Sequence, residues 1–133
     1  MPDLTERDDV ERLLRDFYAR VLADDLLRHV FVDVVQLDLE AHLPVIIDFW
    51  EKVLFDVGSY DGRVMDVHRR VHHCVPLTGK HFSRWLELWR QSLDACFAGP
   101  VAEQADAHAR RMAAVFLRHL TRGEPERSLP LVG

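Results

Sequence analysis

The chain has 133 residues, 48% of them hydrophobic, and a formal net charge of −5 from 17 Lys and Arg against 22 Asp and Glu. These values predict one soluble domain with a real core, and they argue against a nucleic-acid or anionic-membrane surface, which needs clustered basic residues. No stretch is long and apolar enough to span a bilayer, and the acidic start does not resemble a secretory signal. Two cysteines, Cys74 and Cys96, make no disulfide framework. We therefore expect a cytoplasmic protein.

Most glycines and prolines fall between stretches whose apolar residues recur at intervals of three and four, which predicts an all-α chain. The first helix carries the apolar residues from Val10 to Leu22. Thr5 with Asp8 predicts a capping box at its start. Residues 30–35 form a β-like run, but it is short and isolated, so no sheet is expected.

A second helix is predicted from Leu39 to Phe55. One stripe along it is apolar apart from its first member and comprises His42, Ile46, Phe49, Trp50 and Val53. Pro44 lies early in this helix, where it removes one helical hydrogen bond or bends the first turn.

Three further helices complete the predicted domain. A short one runs from Val64 to His72, and Pro76 follows it. The next runs from Gly79 to Phe97 with a stripe of Phe82, Trp85, Leu86, Trp89, Leu93 and Cys96, and the last runs from Val101 to Thr121 with a stripe of His108, Met112, Val115, Phe116 and His119. We therefore expect one domain over residues 1–122 and a flexible tail over 123–133.

His68 and His72 lie four residues apart on the short predicted helix, so their side chains point the same way. One interpretation is a zinc site, which would need further ligands from elsewhere in the chain. The other is that one imidazole is buried with its hydrogen bonds satisfied while the other is solvated. The residues alone leave both open.

Hydrogen-bonding side chains accompany large aromatic residues on several predicted helices. Tyr18, His42 and Trp85 lie on three of them, and His68 lies on a fourth. Each has a common structural explanation by itself, but apolar walls with a few convergent polar groups are typical of a ligand pocket. In such a pocket a neutral imidazole can bind iron, as the proximal histidine of a globin does.

Taken together, these residues resemble the group III truncated haemoglobins. The likeness covers roughly residues 5–120 and is specific as an ensemble, and no Gly-Gly pair is present, which fits group III better than its sister groups. The segments that carry the likeness are Phe17-Tyr18, Val30-Phe31, His42 through Trp50, Tyr60 through His68, Pro76-Leu77-Thr78, His81 through Leu86, and Phe97-Ala98-Gly99 with Ala102-Glu103.

The resemblance implies a truncated globin, a two-over-two helical sandwich around one haem b. His68 matches the proximal histidine that ligates iron, with His72 as the alternative, and Tyr18, His42 and Trp85 match the residues that face the ligand on the distal side. The resemblance further implies a haem pocket made of Phe31, Ile46, Phe49, Trp50, Met65 and Phe82. Contacts to the haem propionates are expected from Arg63, Arg69 and His72, although solvated arginines are an equal alternative.

A globin of this kind is expected to bind a diatomic ligand, O₂, NO or CO, at the iron. The first alternative is a haem-dependent redox enzyme, such as an NO dioxygenase or a peroxidase-like enzyme, which would need a separate reductase because this chain holds no flavin or nicotinamide domain. The second alternative is a haem-free helical interaction module. No nucleic-acid or membrane partner is expected.

Overall fold

The computed structural model describes residues 1–34, 38–56 and 77–121, and the regular structure in these ranges is helical. The elements are α1 (Arg7–Ala23), α2 (Asp25–Arg28), a π-helical segment (His29–Val34), α3 (Leu39–Phe55), α4 (Gly79–Cys96) and α5 (Pro100–Thr121). The predicted bounds of the four long helices are therefore confirmed closely. The predicted helix from Val64 to His72 and the predicted tail lie outside the described residues.

The four long helices form two packed layers. α1 packs against α3, and α4 packs against α5, while the two pairs meet through α1 with α4 and α3 with α5. This arrangement is the expected two-over-two sandwich. None of these helices is long and apolar enough to cross a membrane.

The start of α1 differs from the predicted capping box. Glu6 is the N-cap residue and its side chain makes no capping hydrogen bond. The Thr5 hydroxyl donates instead to Asp9 Oδ2 at 3.0 Å, and the Thr5 backbone N–H donates to the same oxygen at 2.9 Å. Asp9 lies four residues after Thr5. Its carboxylate, rather than that of Asp8, is therefore the one that bonds to Thr5.

The β-like run at residues 30–35 begins within the π-helical segment. Asp24 starts the preceding turn, because its side chain accepts hydrogen bonds from the N–H groups of Leu26 and Leu27. Val30 is buried, while Val32 is exposed. A β-branched run needs a partner strand to become one, and the described part of the chain supplies none, so helical geometry prevails.

Helix α3 begins where the sequence predicts, because the Asp38 side chain accepts a hydrogen bond from the N–H of Ala41. Pro44 lies inside the helix, at its sixth residue, where it has no N–H to donate to the carbonyl of Glu40. The buried residues of α3 are Leu43, Ile47 and Trp50. Most of the predicted stripe (His42, Ile46, Phe49 and Val53) is only half-buried and flanks this face.

Alanines make the buried face of α5. Ala102, Ala105, Ala109 and Ala113 recur at intervals of three and four, and none is more than 4% exposed. Small side chains let α4 approach closely. The predicted stripe of α5 is mostly the neighbouring flank, where His108, Met112 and Val115 are half-buried while Phe116 reaches the interior.

Candidate functional site

Tyr18 lies in an aromatic environment near the end of α1. Its ring meets those of Phe17 and Phe31 edge-on, with centroid distances of 5.2 and 6.0 Å. Burial raises the pKa of Tyr18 well above its ordinary value. The phenol is therefore protonated at neutral pH, and it holds a donor inside apolar surroundings.

Helix α3 contributes His42, Ile46 and Phe49 on its half-buried flank. His42 stands in the first turn, and its backbone N–H donates to the Asp38 carbonyl at 3.0 Å. Burial lowers the pKa of His42, so its imidazole is neutral at neutral pH. A neutral imidazole has one donor and one acceptor nitrogen, and it can also act as a metal ligand.

Trp85 of α4 is half-buried on the side of the helix that faces α1. Phe17 separates it from Tyr18: the Phe17 and Trp85 rings are perpendicular at 5.5 Å. Phe82, one turn earlier, belongs to a second, smaller cluster with Val30 and Phe116. The sequence-predicted residues of α1 and α4 are thus brought together through Phe17, whose importance shows only in the structure.

Trp50 occupies a different place from the rest of the predicted pocket wall. It is 3% exposed and its indole stacks on Trp89, with ring centroids 4.7 Å apart. It therefore lies behind the flank formed by Ile46 and Phe49, in the main core. The predicted pocket wall and the core are adjacent faces of the same helix.

The main core and the smaller cluster meet through partly buried side chains. Phe31, Leu86 and Met112 pack against both clusters, and none of the three is fully buried. Sequence reasoning assigned Phe31 to the pocket but left out Leu86 and Met112, although both lie on predicted apolar stripes. Apolar surface is thus left between the two clusters, beside Tyr18 and Trp85.

Five predicted site residues lie outside the described residues: Arg63, Met65, His68, Arg69 and His72. The zinc interpretation of His68 and His72 falls there as well. Within the described ranges, no group of three or more His, Cys, Asp or Glu side chains could hold a metal ion. Cys96 is an unpaired, half-buried thiol.

The predicted distal residues and their neighbours would fit a flat, largely apolar cofactor. Phe31, Leu86 and Met112 stay half-buried where the two clusters meet, and Ile46, Phe49 and Trp85 stay half-buried against the main core. Beside Phe31 stands the buried Tyr18, which brings a hydroxyl to these apolar surroundings. Binding pockets combine such apolar walls with a few placed polar groups.

Comparison with known proteins supports this description of the fold. No family model matches the sequence. A group 1 truncated hemoglobin of Synechocystis sp., GlbN, is 32% identical over 74 residues, which are 55% of this chain and 57% of that protein. The match therefore spans little more than half the length of that curated relative.

The structure is similar to the crystal structure of a group III truncated hemoglobin from Campylobacter jejuni. The TM-score is 0.81 at 23% sequence identity, over 92% of this chain and 97% of that chain. Both relatives are truncated hemoglobins, and the structural likeness is to the group that the sequence resembles. The expected fold, a truncated globin, is confirmed.

Proposed function

We propose that this chain is a haem b-binding globin that holds a diatomic gas, O₂, NO or CO, in a polar distal pocket. The observation that carries the proposal is the half-buried apolar surface between the two clusters, with the Tyr18 hydroxyl beside it, in a truncated-globin fold. Large apolar side chains are normally buried in a folded protein, so these half-buried side chains would be covered further by a bound partner. A porphyrin is a partner of the right chemistry.

The proposed cofactor contact combines described and undescribed residues. His68 is our proposed iron ligand, with His72 as the alternative, and both lie outside the described residues. Phe31, Ile46, Phe49 and Trp85 would pack on the porphyrin. When bound, haem supplies an iron coordination position at which a diatomic gas is held.

Three side chains give the pocket its proposed polarity. The Tyr18 hydroxyl and the Trp85 indole N–H are donors, and a donor stabilises a guest that gains negative charge. Neutral His42, near the start of α3, would donate from one nitrogen and accept at the other. Several donors around one guest slow its release more than they speed its capture, which suits sensing, scavenging or redox chemistry better than transport.

A haem-dependent redox enzyme, an NO dioxygenase or a peroxidase-like enzyme, would use the same residues and is the alternative that we carry forward. It differs by turnover and by its need for a separate reductase. A haem-free helical interaction module is the second alternative. The reductase and a cytoplasmic location stay predictions.

The proposal is tested by absorption spectroscopy of the purified chain with hemin, in the ferric state and after reduction with dithionite under CO. A Soret band with a histidine-type ferrous–CO spectrum is expected. His68→Ala should abolish or disorder haem binding, and His72→Ala is its matched control, which should keep the band. The reverse result would move the iron ligand to His72, and no band in the unaltered chain would leave the haem-free module.

A further inference from the structure

All three tryptophans of the chain stand in one stack. The Trp85 and Trp89 indoles are nearly parallel, at 5° and 5.8 Å between centroids. Trp89 in turn stacks on Trp50 of α3, at 24° and 4.7 Å. Rings at these separations are in van der Waals contact, so their π systems form one unbroken series across the core.

The stack ends at the half-buried Trp85 on one side and at the buried Trp50 on the other. Trp85 is half-buried on the side of the proposed pocket, next to Phe17. At the other end, Trp50 meets the half-buried imidazole of His108 on α5, at 5.6 Å and 77°. The exposed side chain of Arg111 lies within electrostatic reach of His108. The series therefore runs from Trp85 to the half-buried His108 between α3 and α5, where the ring of Phe49 also lies 6.0 Å from the imidazole.

The middle indole is chemically unusual. Trp89 is 0% exposed, and its Nε1–H has no hydrogen-bond partner in the described parts of the chain. A buried tryptophan normally finds one, and an unpaired buried donor costs stability and is a candidate for a redox role. An indole that loses one electron here cannot pass its proton to a neighbour, so it stays a radical cation that the next indole can reduce.

Tyr18 is the nearby competitor for oxidation, and its surroundings disfavour it. A phenol that loses an electron must also lose its proton, because the phenol radical cation is a very strong acid. The Tyr18 side chain is 7% exposed, and burial raises the pKa of its phenol, so loss of the proton is disfavoured there. An oxidising equivalent in the pocket is therefore drawn to Trp85 instead.

We propose that Trp85, Trp89 and Trp50 form a relay that carries one-electron oxidising equivalents from the haem pocket toward His108. The inference rests on the proposed function, since it needs a haem in that pocket, and it takes hydrogen peroxide as the oxidant. Peroxide gains two electrons and two protons and becomes two water molecules; one electron comes from the haem and the other from Trp85. Trp89 then reduces the oxidised Trp85 by one electron, and Trp50 reduces Trp89.

Trp50 is thereby left one electron short, and its radical cation releases the indole proton to water. A small phenolic or ascorbate-type reductant near His108 then returns one electron and one proton, which restores the indole, and a second such reduction through the same three indoles returns the electron taken from the haem. The relay would remove oxidising equivalents from the pocket, or deliver them to such a donor.

The test locates the radical by spin trapping. The full chain loaded with hemin is treated with hydrogen peroxide and a nitroso spin trap, digested, and mapped by mass spectrometry. The unaltered chain should carry the adduct on Trp50. In Trp89→Phe the adduct should be lost from Trp50 and move to Trp85. Phe97→Leu, which alters an equally buried ring outside the stack, is the matched control and should keep the adduct on Trp50.

Trp85→Phe is a second test. It changes a half-buried residue, so it can be measured even if Trp89→Phe fails to fold, and it should also abolish the Trp50 adduct. An adduct on Tyr18 in place of Trp50, or one on Trp50 that survives Trp89→Phe or Trp85→Phe, would overturn the relay and leave haem binding intact. A chain that shows no Soret band with hemin would overturn both proposals together.

Discussion

Unpaired polar atoms stand on the core face of α4. Ser92 is 0% exposed and its hydroxyl has no hydrogen-bond partner in the described ranges, as with Trp89 one turn earlier. Each buried hydroxyl without a partner costs about 1–3 kcal/mol of desolvation. The proposed relay gives Trp89 a redox role, but Ser92 has no evident use in the site.

Ser92→Ala should therefore stabilise the protein. Removing the unpaired hydroxyl and gaining helix propensity should raise the free energy of unfolding by about 1 kcal/mol, measured by urea denaturation. Ser83→Ala, on the exposed side of the same helix, is the matched control for propensity alone and should change stability less. A loss of stability in Ser92→Ala would mean that a buried water bonds its hydroxyl.

Tyr18 is the residue on which the proposed ligand chemistry depends most. Tyr18→Phe keeps the ring packed against Phe17 and Phe31 but removes the donor. We expect the O₂ dissociation rate constant to rise roughly 5- to 150-fold, because one such hydrogen bond is worth about 1–3 kcal/mol. Stopped-flow displacement of O₂ by CO measures it.

Phe31→Leu is the control for Tyr18→Phe, since it changes the ring contact at 6.0 Å and leaves the hydroxyl. Its effect on the rate should be smaller. An unchanged rate in Tyr18→Phe would assign the contact to Trp85 or to water.

At the scale of elements, the N-terminal segment caps the start of α5. The Asp3 carboxylate accepts from the N–H groups of Val101 and Ala102 at 2.8 and 2.9 Å. Gly99, just before the helix, has φ of +140°, and a Cβ there would lie 2.6 Å from Asp3 Cγ. Only glycine fits this turn beside Asp3. Through these contacts Asp3, near the start of the sequence, holds the first turn of α5, almost a hundred residues later.

Asp3→Ala should cost about 1–2 kcal/mol at neutral pH, the usual value of a helix cap. Burial acts to raise the pKa of Asp3, but the N–H donors of Val101, Ala102 and Leu4 hold it below the ordinary 3.8. A lowered pKa in the folded state means that the stabilisation is complete above pH 3.8 and is lost as the pH falls through the folded-state pKa.

The measurement for Asp3→Ala is urea denaturation at neutral pH and at several values below pH 4. The difference in free energy of unfolding between the variant and the unaltered chain should become smaller as the pH falls. Asp8→Ala, in the exposed first turn of α1, is the control and should have the smaller effect at neutral pH. A gap that stays constant with pH would show that Asp3 acts by packing rather than by charge.

Elements also carry apolar flanks beside their buried faces. On α3 the buried Leu43, Ile47 and Trp50 adjoin the half-buried Ile46 and Phe49. A helix apolar over so wide an arc can serve two neighbours at once. One arc of α3 packs in the core while the next faces the proposed site.

At the scale of the molecule, exposed ion pairs join the two helices within each layer. Arg15 of α1 pairs with Glu40 of α3 at 2.8 Å, and Arg90 of α4 pairs with Glu103 of α5 at 2.9 Å. These pairs are exposed and contribute modestly. The hydrophobic core stabilises the fold more than these pairs do, and the proposed cofactor would cover the apolar surface where its two clusters meet.

The sequence by itself determined the helices, and it predicted the members of the proposed site. Periodicity, Asp38 and the Gly-Pro pair at residues 99–100 act within a turn or two of the chain, so the bounds of α3, α4 and α5 could be predicted locally. The resemblance named Tyr18, His42, Phe31 and Trp85, and the structure brings Tyr18 beside Phe31, with Phe17 linking it to Trp85.

Only the tertiary structure decided which apolar face of each helix is buried. The alanines of α5 draw α4 close, and this leaves His108 and Met112 on the flank where the sequence predicted an apolar face. Trp85 and Trp89 are four residues apart and could be paired from the sequence, but Trp50 reaches Trp89 only because α3 and α4 meet in space. Contacts between distant residues depend on how whole helices pack, and no local pattern encodes that distance.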